Sequence, residues 1–202
     1  MYSFFKRLLD IVLGICGMIF FIPVSIVIKI IYISIGDGGK ILYKQDRVGK
    51  DGKIFQIYKF RTMVRDAEDK LDELLKEDRY RKEWEANQKI EDDPRITIIG
   101  KFLRESSLDE LPQAINVIIG DMSLVGPRPL VEGELEAHGG DKKYWKVKPG
   151  ITGWWACHGR SNLDYPERLE LEYYYVDHCS FSLDLLCLYK TFVAVFRQKG
   201  AK

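Results

Sequence analysis

The chain is poor in the residues that build the common metal and disulfide frameworks. Four cysteines (Cys16, Cys157, Cys179, Cys187) and three histidines are scattered through 202 residues. None shows metal-ligand spacing, which argues against a zinc module and a disulfide scaffold, so the thiols are expected to be reduced and structural. No repeat or low-complexity linker is present, which excludes solenoids and tethered arrays. A secretory leader needs a shorter apolar core and a small-residue cleavage site, and nothing here supplies a convincing one. The apolar N-terminus is therefore expected to stay in the mature protein. Net charge is also nearly absent, at +1.

That balance hides an asymmetry. Met1 to Arg65 carries eleven Lys/Arg against four Asp/Glu, Asp66 to Asp93 six against twelve, and the remainder is even. A basic N-terminal third beside an apolar run suits lipid headgroups or a phosphorylated substrate, and nucleic acid less well. The run itself, Ile11 to Ile28, has 18 residues without a charged side chain, the lower range for a membrane span. Pro23 lies inside it, where it deletes the helical bond to the Ile19 carbonyl and favours a kink, and Ser25 is placed to satisfy part of the freed backbone. Lys6 and Arg7 precede the run, and Lys40, Lys44, Arg47, Lys50 and Lys53 follow it. Lysine and arginine stay cytoplasmic, so both flanks on one face is simpler than a span. A kinked transmembrane helix is the alternative.

At this length one soluble domain is expected beyond residue 36, covering 37–202. Ile41 to Tyr43 and Ile54 to Tyr58 predict a hairpin around Gly49-Lys-Asp-Gly52. Asp66 to Glu91 predicts a solvated helix with a narrow stripe of Leu71, Leu74, Leu75 and Trp84. Helices are also expected ending near Phe102 to Arg104, over Asp109 to Val117, over Tyr165 to Val176 and over Leu183 to Phe196. The last of these suits the core or a membrane surface. The fold class is thus α/β, mostly helical with a short hairpin. Lys148-Pro-Gly-Ile-Thr-Gly153 predicts a tight turn.

The most informative stretch is Ser107-Leu-Asp-Glu-Leu-Pro-Gln113, running into Gly126-Pro-Arg-Pro129. It sets two adjacent carboxylates, Asp109 and Glu110, beside a proline-stiffened turn that carries a guanidinium. Ser107 with Glu110 fits a capping box. Pro112 argues against it, because a helix starting near Asp109 would hold the proline in its tolerated first turn. In that frame Asp109 sits at the positive helix end. A buried Asp can attack phosphorus only if the electrophile's charge is screened, which calls for a divalent cation and nearby Lys or Arg. Arg128, between Pro127 and Pro129, costs little entropy to order and can grip phosphate in bidentate fashion.

Five blocks in order, Lys6-Arg-Leu-Leu-Asp10, Tyr58-Lys-Phe-Arg-Thr-Met63, Asp93-Pro-Arg-Ile-Thr97, the stretch above and Lys148 to Gly153, resemble the monotopic phosphoglycosyl transferases. The resemblance covers nearly the whole chain. It implies transfer of a sugar-1-phosphate from a UDP-sugar to undecaprenyl phosphate through a phosphoglycosyl-aspartate, at the cytoplasmic face of the bacterial inner membrane. It implies Asp109 as nucleophile and ligand of Mg2+, with Glu110 orienting Asp109, the metal or the incoming phosphate. Lys59, Arg61, Arg104 and Arg128 would each be read alone as solvated charges; inside these motifs, with Pro127 and Pro129, they are expected near phosphate. Gly159 and Arg160 match a family element that contacts nucleotide or sugar, although the family's Gln has no counterpart in Ala156-Cys-His158. Residues 1–36 would form a helix-break-helix hairpin in one leaflet with its break at Pro23, but the family's Ser-Pro pair is Ile22-Pro23 here. Trp154, Trp155 and His158 could line a sugar pocket or, for the Trp pair, meet the membrane interface. Oligomeric state is open, with a homodimer among the options. The rival readings are an inactive membrane-anchored scaffold and a metal-dependent phosphodiesterase.

Overall fold

The computed structural model describes residues 1–87, 90–159 and 163–196. It begins with α1 (Tyr2–Ser34), a helix of 33 residues that is about 50 Å long at 1.5 Å per residue. Helical structure continues through Pro23, so the expected break is not an interruption of the helix. Ser25 Oγ donates back to the Phe21 carbonyl at 2.6 Å, one turn away, and not to the Ile19 carbonyl that Pro23 frees.

One face of α1 packs along the rest of the protein at both ends. Near its start Asp10 is buried and accepts from Ser123 Oγ and the Leu124 N–H. Near its finish Ile28 and Tyr32 join Phe60 and Leu103 in a core cluster. The opposite face stays exposed and apolar, with Leu8, Ile15, Ile19, Ile22, Ile26 and Ile30.

The hairpin is longer than expected. Strands β1 (Leu42–Val48) and β2 (Ile54–Phe60) pair antiparallel, from Leu42 opposite Phe60 to Val48 opposite Ile54. Asp51 and Gly52 in the connecting turn both take positive φ. The acidic segment is two helices, α2 (Ala67–Leu74) and α3 (Asp78–Asn87), not one. Next come α4 (Ile98–Glu105), capped by Thr97 Oγ1 accepting from the Gly100 N–H, and α5 (Gln113–Ile119).

Residues 148–153 correct the expected turn. Gly150–Thr152 is a strand, which we label β4, and it pairs parallel with β3 (Ser123–Val125). The pairing runs on into the Pro-Arg-Pro loop, since Gly126 N–H donates to Thr152 O and Gly150 N–H to Pro127 O, each at 2.8 Å. A Cβ on Gly150 would lie 2.1 Å from the Gly126 nitrogen, so the two backbones can touch only because neither residue has a side chain. Between the strands lies the one-turn helix α6 (Glu134–Ala137). The chain finishes with α7 (Tyr165–His178) and α8 (Phe181–Phe196), both close to their expected limits. Cys187 is buried, and the Cys157 thiol donates to its carbonyl at 3.5 Å.

Charged side chains fasten the N-terminus of α1. Arg7 donates to the carbonyls of Val117 and Ile118, the orphan acceptors at the end of α5. Lys6 pairs with Asp184 at 2.9 Å, and Asp184, only 1% exposed, also accepts from Tyr2 and Tyr175. Cutting Asp184 to alanine leaves the Lys6 charge without its counter-ion and the Tyr2 hydroxyl without its acceptor, although Lys6 and Tyr175 keep the Val125 carbonyl. We expect a loss of about 3–5 kcal/mol, the usual cost of orphaning one partner of a buried ion pair, read as a large drop in the melting temperature of micelle-solubilised protein. An unchanged melt would show that the network carries no stability.

Candidate active site

Asp109 and Glu110 lie in a 3-10 turn, Leu108–Glu110, and α5 begins only at Gln113 with Pro112 as its cap residue. The expected helix from Asp109 is thus shorter, and its first turn is a separate tighter one. Pro112, as the cap residue of α5, sits where its missing N–H costs no helical bond. The capping box does not form: Ser107 takes a left-handed φ of 57° and makes no side-chain cap bond. Glu110 instead meets Lys59 Nζ of β2 at 3.3 Å.

Burial, then repulsion from Glu110, pushes the Asp109 carboxyl up to about 6, although Lys59 and Arg104 pull the other way. A carboxylate held this way is short of solvation and close to two cations, which suits a nucleophile aimed at a phosphate. Arg104, from the last turn of α4, donates its Nε to Thr62 Oγ1 at 3.0 Å. Thr62 went unnoticed in the sequence; its carbonyl accepts from Thr97, so it aligns α4 and Arg104 with the end of β2.

Arg61 has a different setting. Its three nitrogens donate to Lys40 O, Met63 O and Asp37 Oδ2, and the guanidinium lies 4.4 Å from the Tyr32 ring centroid. With those donors engaged, Arg61 ties the end of α1 to the hairpin.

Arg128 belongs to a second cationic group. The Pro-Arg-Pro loop is clamped at every residue: Pro127 O accepts from Gly150, the Arg128 N–H donates to Glu172, Arg128 O accepts from Tyr144, and Pro129 O accepts from Arg47. Glu172 is 1% exposed, and burial pushes its carboxyl up to about 8. Its position inside the aromatic run of α7 gave no hint of this. Trp155 lies under the Arg128 guanidinium, 5.9 Å from ring centroid to carbon, so that member of the Trp pair faces the protein. Trp154 stacks on Tyr174 at 5.4 Å. His138 and His178 both find aromatic partners, Tyr165 and Tyr174. Gly159 holds an open φ of 155°, and His158 beside it lies 3.5 Å from Lys190. Arg160 is outside the described residues.

Among the described residues no three His, Cys, Asp or Glu side chains gather as a cage for a metal. Magnesium does not need one: it keeps several waters and binds through one or two carboxylates plus substrate phosphates. Asp109 with Glu110 fits that sparse donor set.

Comparison with known proteins settles the family. The model of the family described as bacterial sugar transferase matches residues 1–198. The chain belongs to that family. It is 46% identical over 200 residues to the undecaprenyl-phosphate galactose phosphotransferase of Salmonella typhimurium, covering 98% of this chain and 42% of that protein. It is 38% identical over 198 residues to the exopolysaccharide production protein ExoY of Sinorhizobium fredii, covering 97% and 87%. Against the UDP-glucose:undecaprenyl-phosphate glucose-1-phosphate transferase of Escherichia coli it is 35% identical over 212 residues, covering 97% and 41%. The chain thus spans about two fifths of the first of these relatives and most of the second.

Proposed function

We propose that this sugar transferase moves a sugar-1-phosphate from a UDP-sugar to undecaprenyl phosphate, yielding undecaprenyl-diphosphate-sugar and UMP, and so starts a bacterial surface glycan. The observation that carries the reading is the desolvated Asp109 carboxylate flanked by Lys59 and Arg104, in a chain whose relatives bear the names of such transferases.

In this reading a carboxylate oxygen of Asp109 attacks the phosphorus that bears the sugar. The bond from that phosphorus to the bridging oxygen breaks, and UMP leaves with the electron pair. An oxygen of undecaprenyl phosphate then attacks the phosphoglycosyl-aspartate, breaking its acyl phosphate bond and freeing Asp109. Lys59 and Arg104 offset the phosphate charge that would repel a carboxylate nucleophile. Magnesium, held by Asp109 with Glu110 beside it, would add charge neutralisation at the phosphate oxygens. Glu110, anchored by Lys59, orients the nucleophile.

The membrane belongs to the same proposal. Both ends of α1 dock on the soluble part while its other face is apolar and exposed. A helix tied down at both ends fits one leaflet better than a span. Phe181, Leu185, Tyr189 and Phe192 add an exposed apolar stripe on α8, suited to the same surface.

The test is UMP release by solubilised protein with magnesium over a panel of UDP-sugars, with and without undecaprenyl phosphate. Lipid-dependent release supports the transferase; equal release without lipid marks a phosphodiesterase, and none points to a scaffold or to a different nucleotide. The nucleophile must be ionised to attack, and burial with the Glu110 charge pushes its carboxyl up to about 6, whereas bound magnesium favours the ionised form. Single-turnover UMP release is therefore expected to fall on acidification, with a midpoint that moves lower as magnesium is raised. A midpoint that does not respond to magnesium would remove Asp109 from the role of metal-bound nucleophile.

A further inference from the structure

Three arginines from distant parts of the chain converge around Glu134 and Glu172. Arg47 comes from β1, Arg128 from the Pro-Arg-Pro loop and Arg168 from α7. Arg47 Nη1 lies 3.9 Å from Glu134 Oε2, and Arg168 Nη2 lies 3.7 Å from Glu134 Oε1. Arg47 and Arg168 expose only 13% and 16% of their side chains. Burial, then repulsion from the nearby Arg128 charge, depresses the Arg47 guanidinium.

The pairing within this group is incomplete. Glu134 is shared between two arginines at distances longer than a hydrogen bond. Glu172 spends its oxygens on the Arg128 backbone N–H. Arg47 Nε, Arg128 Nε and the Trp155 indole nitrogen are buried without a hydrogen-bond partner among the described residues. All three are N–H groups that can only donate. Native proteins rarely leave such donors orphaned.

A single partner that meets these donors together is rich in acceptor oxygens and negatively charged. A neutral ligand would leave the excess of guanidinium charge uncompensated. A single carboxylate has two oxygens for forks that arrive from three directions. A phosphate offers three or more and matches guanidinium geometry.

We propose that Arg47, Arg128 and Arg168, with the Trp155 indole N–H, form a phosphate-binding site built for a substrate of this enzyme. Arg47, Arg168 and Trp155 are thereby added to Arg128 as recognition residues. The identity of the ligand rests on the transferase reading, which supplies two phosphate sources: the UDP portion of the donor and the headgroup of the lipid acceptor.

The test uses the whole chain in detergent micelles. Binding of UDP, inorganic phosphate and undecaprenyl phosphate is measured by calorimetry for the wild type, Arg47→Gln and Arg168→Gln, with circular dichroism and melting curves as folding controls. A rise of about tenfold or more in the Kd for UDP in both variants, with inorganic phosphate competing, assigns the site to the donor. A rise confined to undecaprenyl phosphate assigns it to the acceptor. Unchanged affinity for all three overturns the site. Should the variants fail to fold, hydrogen exchange of the wild type decides. Slowing of segments containing Arg47, Arg128 and Arg168 on adding UDP or undecaprenyl phosphate supports the site, and no change with either ligand overturns it. Phosphate binding at the triad in a protein that gives no lipid-dependent UMP release would sink the transferase reading and leave the site standing.

Discussion

Asp109→Asn is expected to abolish sugar-phosphate transfer and at the same time to make the protein more stable at neutral pH. The two effects have one cause. The folded environment pushes the Asp109 carboxyl from 3.8 to about 6, chiefly by burial and secondly by the Glu110 charge. Between those values the folded protein holds a proton that the unfolded chain has released. Stability contributed by this group therefore falls as pH rises through that window and stays reduced above it. Asparagine cannot ionise and escapes the penalty. Partial exposure and the nearby Lys59 and Arg104 soften it, so we expect a gain of about 1–3 kcal/mol at pH 7.5, measured by melting in micelles with chelator present. Transfer should drop by about a thousandfold or more, as for loss of other covalent nucleophiles. UMP release at near wild-type rate by the variant would sink the nucleophile assignment, and a variant less stable than the parent at pH 7.5 would sink the electrostatic account.

Local signals were legible where the responsible residues are neighbours in sequence. The hairpin follows from Gly49 to Gly52 between apolar runs, and α7 starts where Asp164 can accept from the Glu167 N–H. The dyad was visible because Asp109 and Glu110 stand side by side. What stayed hidden is long-range. Lys6 meets a partner 178 positions away and Asp10 one 113 positions away, so nothing beside them tells an anchoring charge from a solvated or substrate-binding one. The same blindness made Lys148 to Gly153 look like a turn, since its strand partner lies in the Ser123 to Val125 segment. Arg61 shows the converse case: a basic residue in a matched motif gives no sign in sequence that Asp37 and two carbonyls take three of its five N–H groups. Glu172 and Thr62 are ordinary in sequence and gain their roles only when α7 and α4 close on the site.

Gly100→Ala should damage both fold and catalysis, although residue 100 contains no chemistry of its own. Here α4 crosses the end of β2 so tightly that a Cβ would stand 1.8 Å from the Thr62 carbonyl oxygen and 2.6 Å from its carbonyl carbon. Backbone atoms cannot yield as a flexible side chain would, so the helix must lift by an ångström or more. Three bonds lie in the path of that movement: the Thr97 N–H and hydroxyl to Thr62 O, and Arg104 Nε to Thr62 Oγ1. The expected stability loss is about 2–4 kcal/mol, at or above the upper range for overpacking a tight contact. Arg104 would move with the helix away from Asp109, weakening one of the two charges that hold that carboxyl down. A displacement of this size costs about a hundredfold in rate when it shifts a positioned catalytic group. The two losses can be separated by assaying well below the melting temperature of the variant. A rate deficit that persists there, with the Asp109 pH midpoint moved upward, would show that this glycine sets the distance between α4 and the nucleophile. Full activity in a folded Gly100→Ala protein would instead mean that Arg104 does not act on the reacting phosphate.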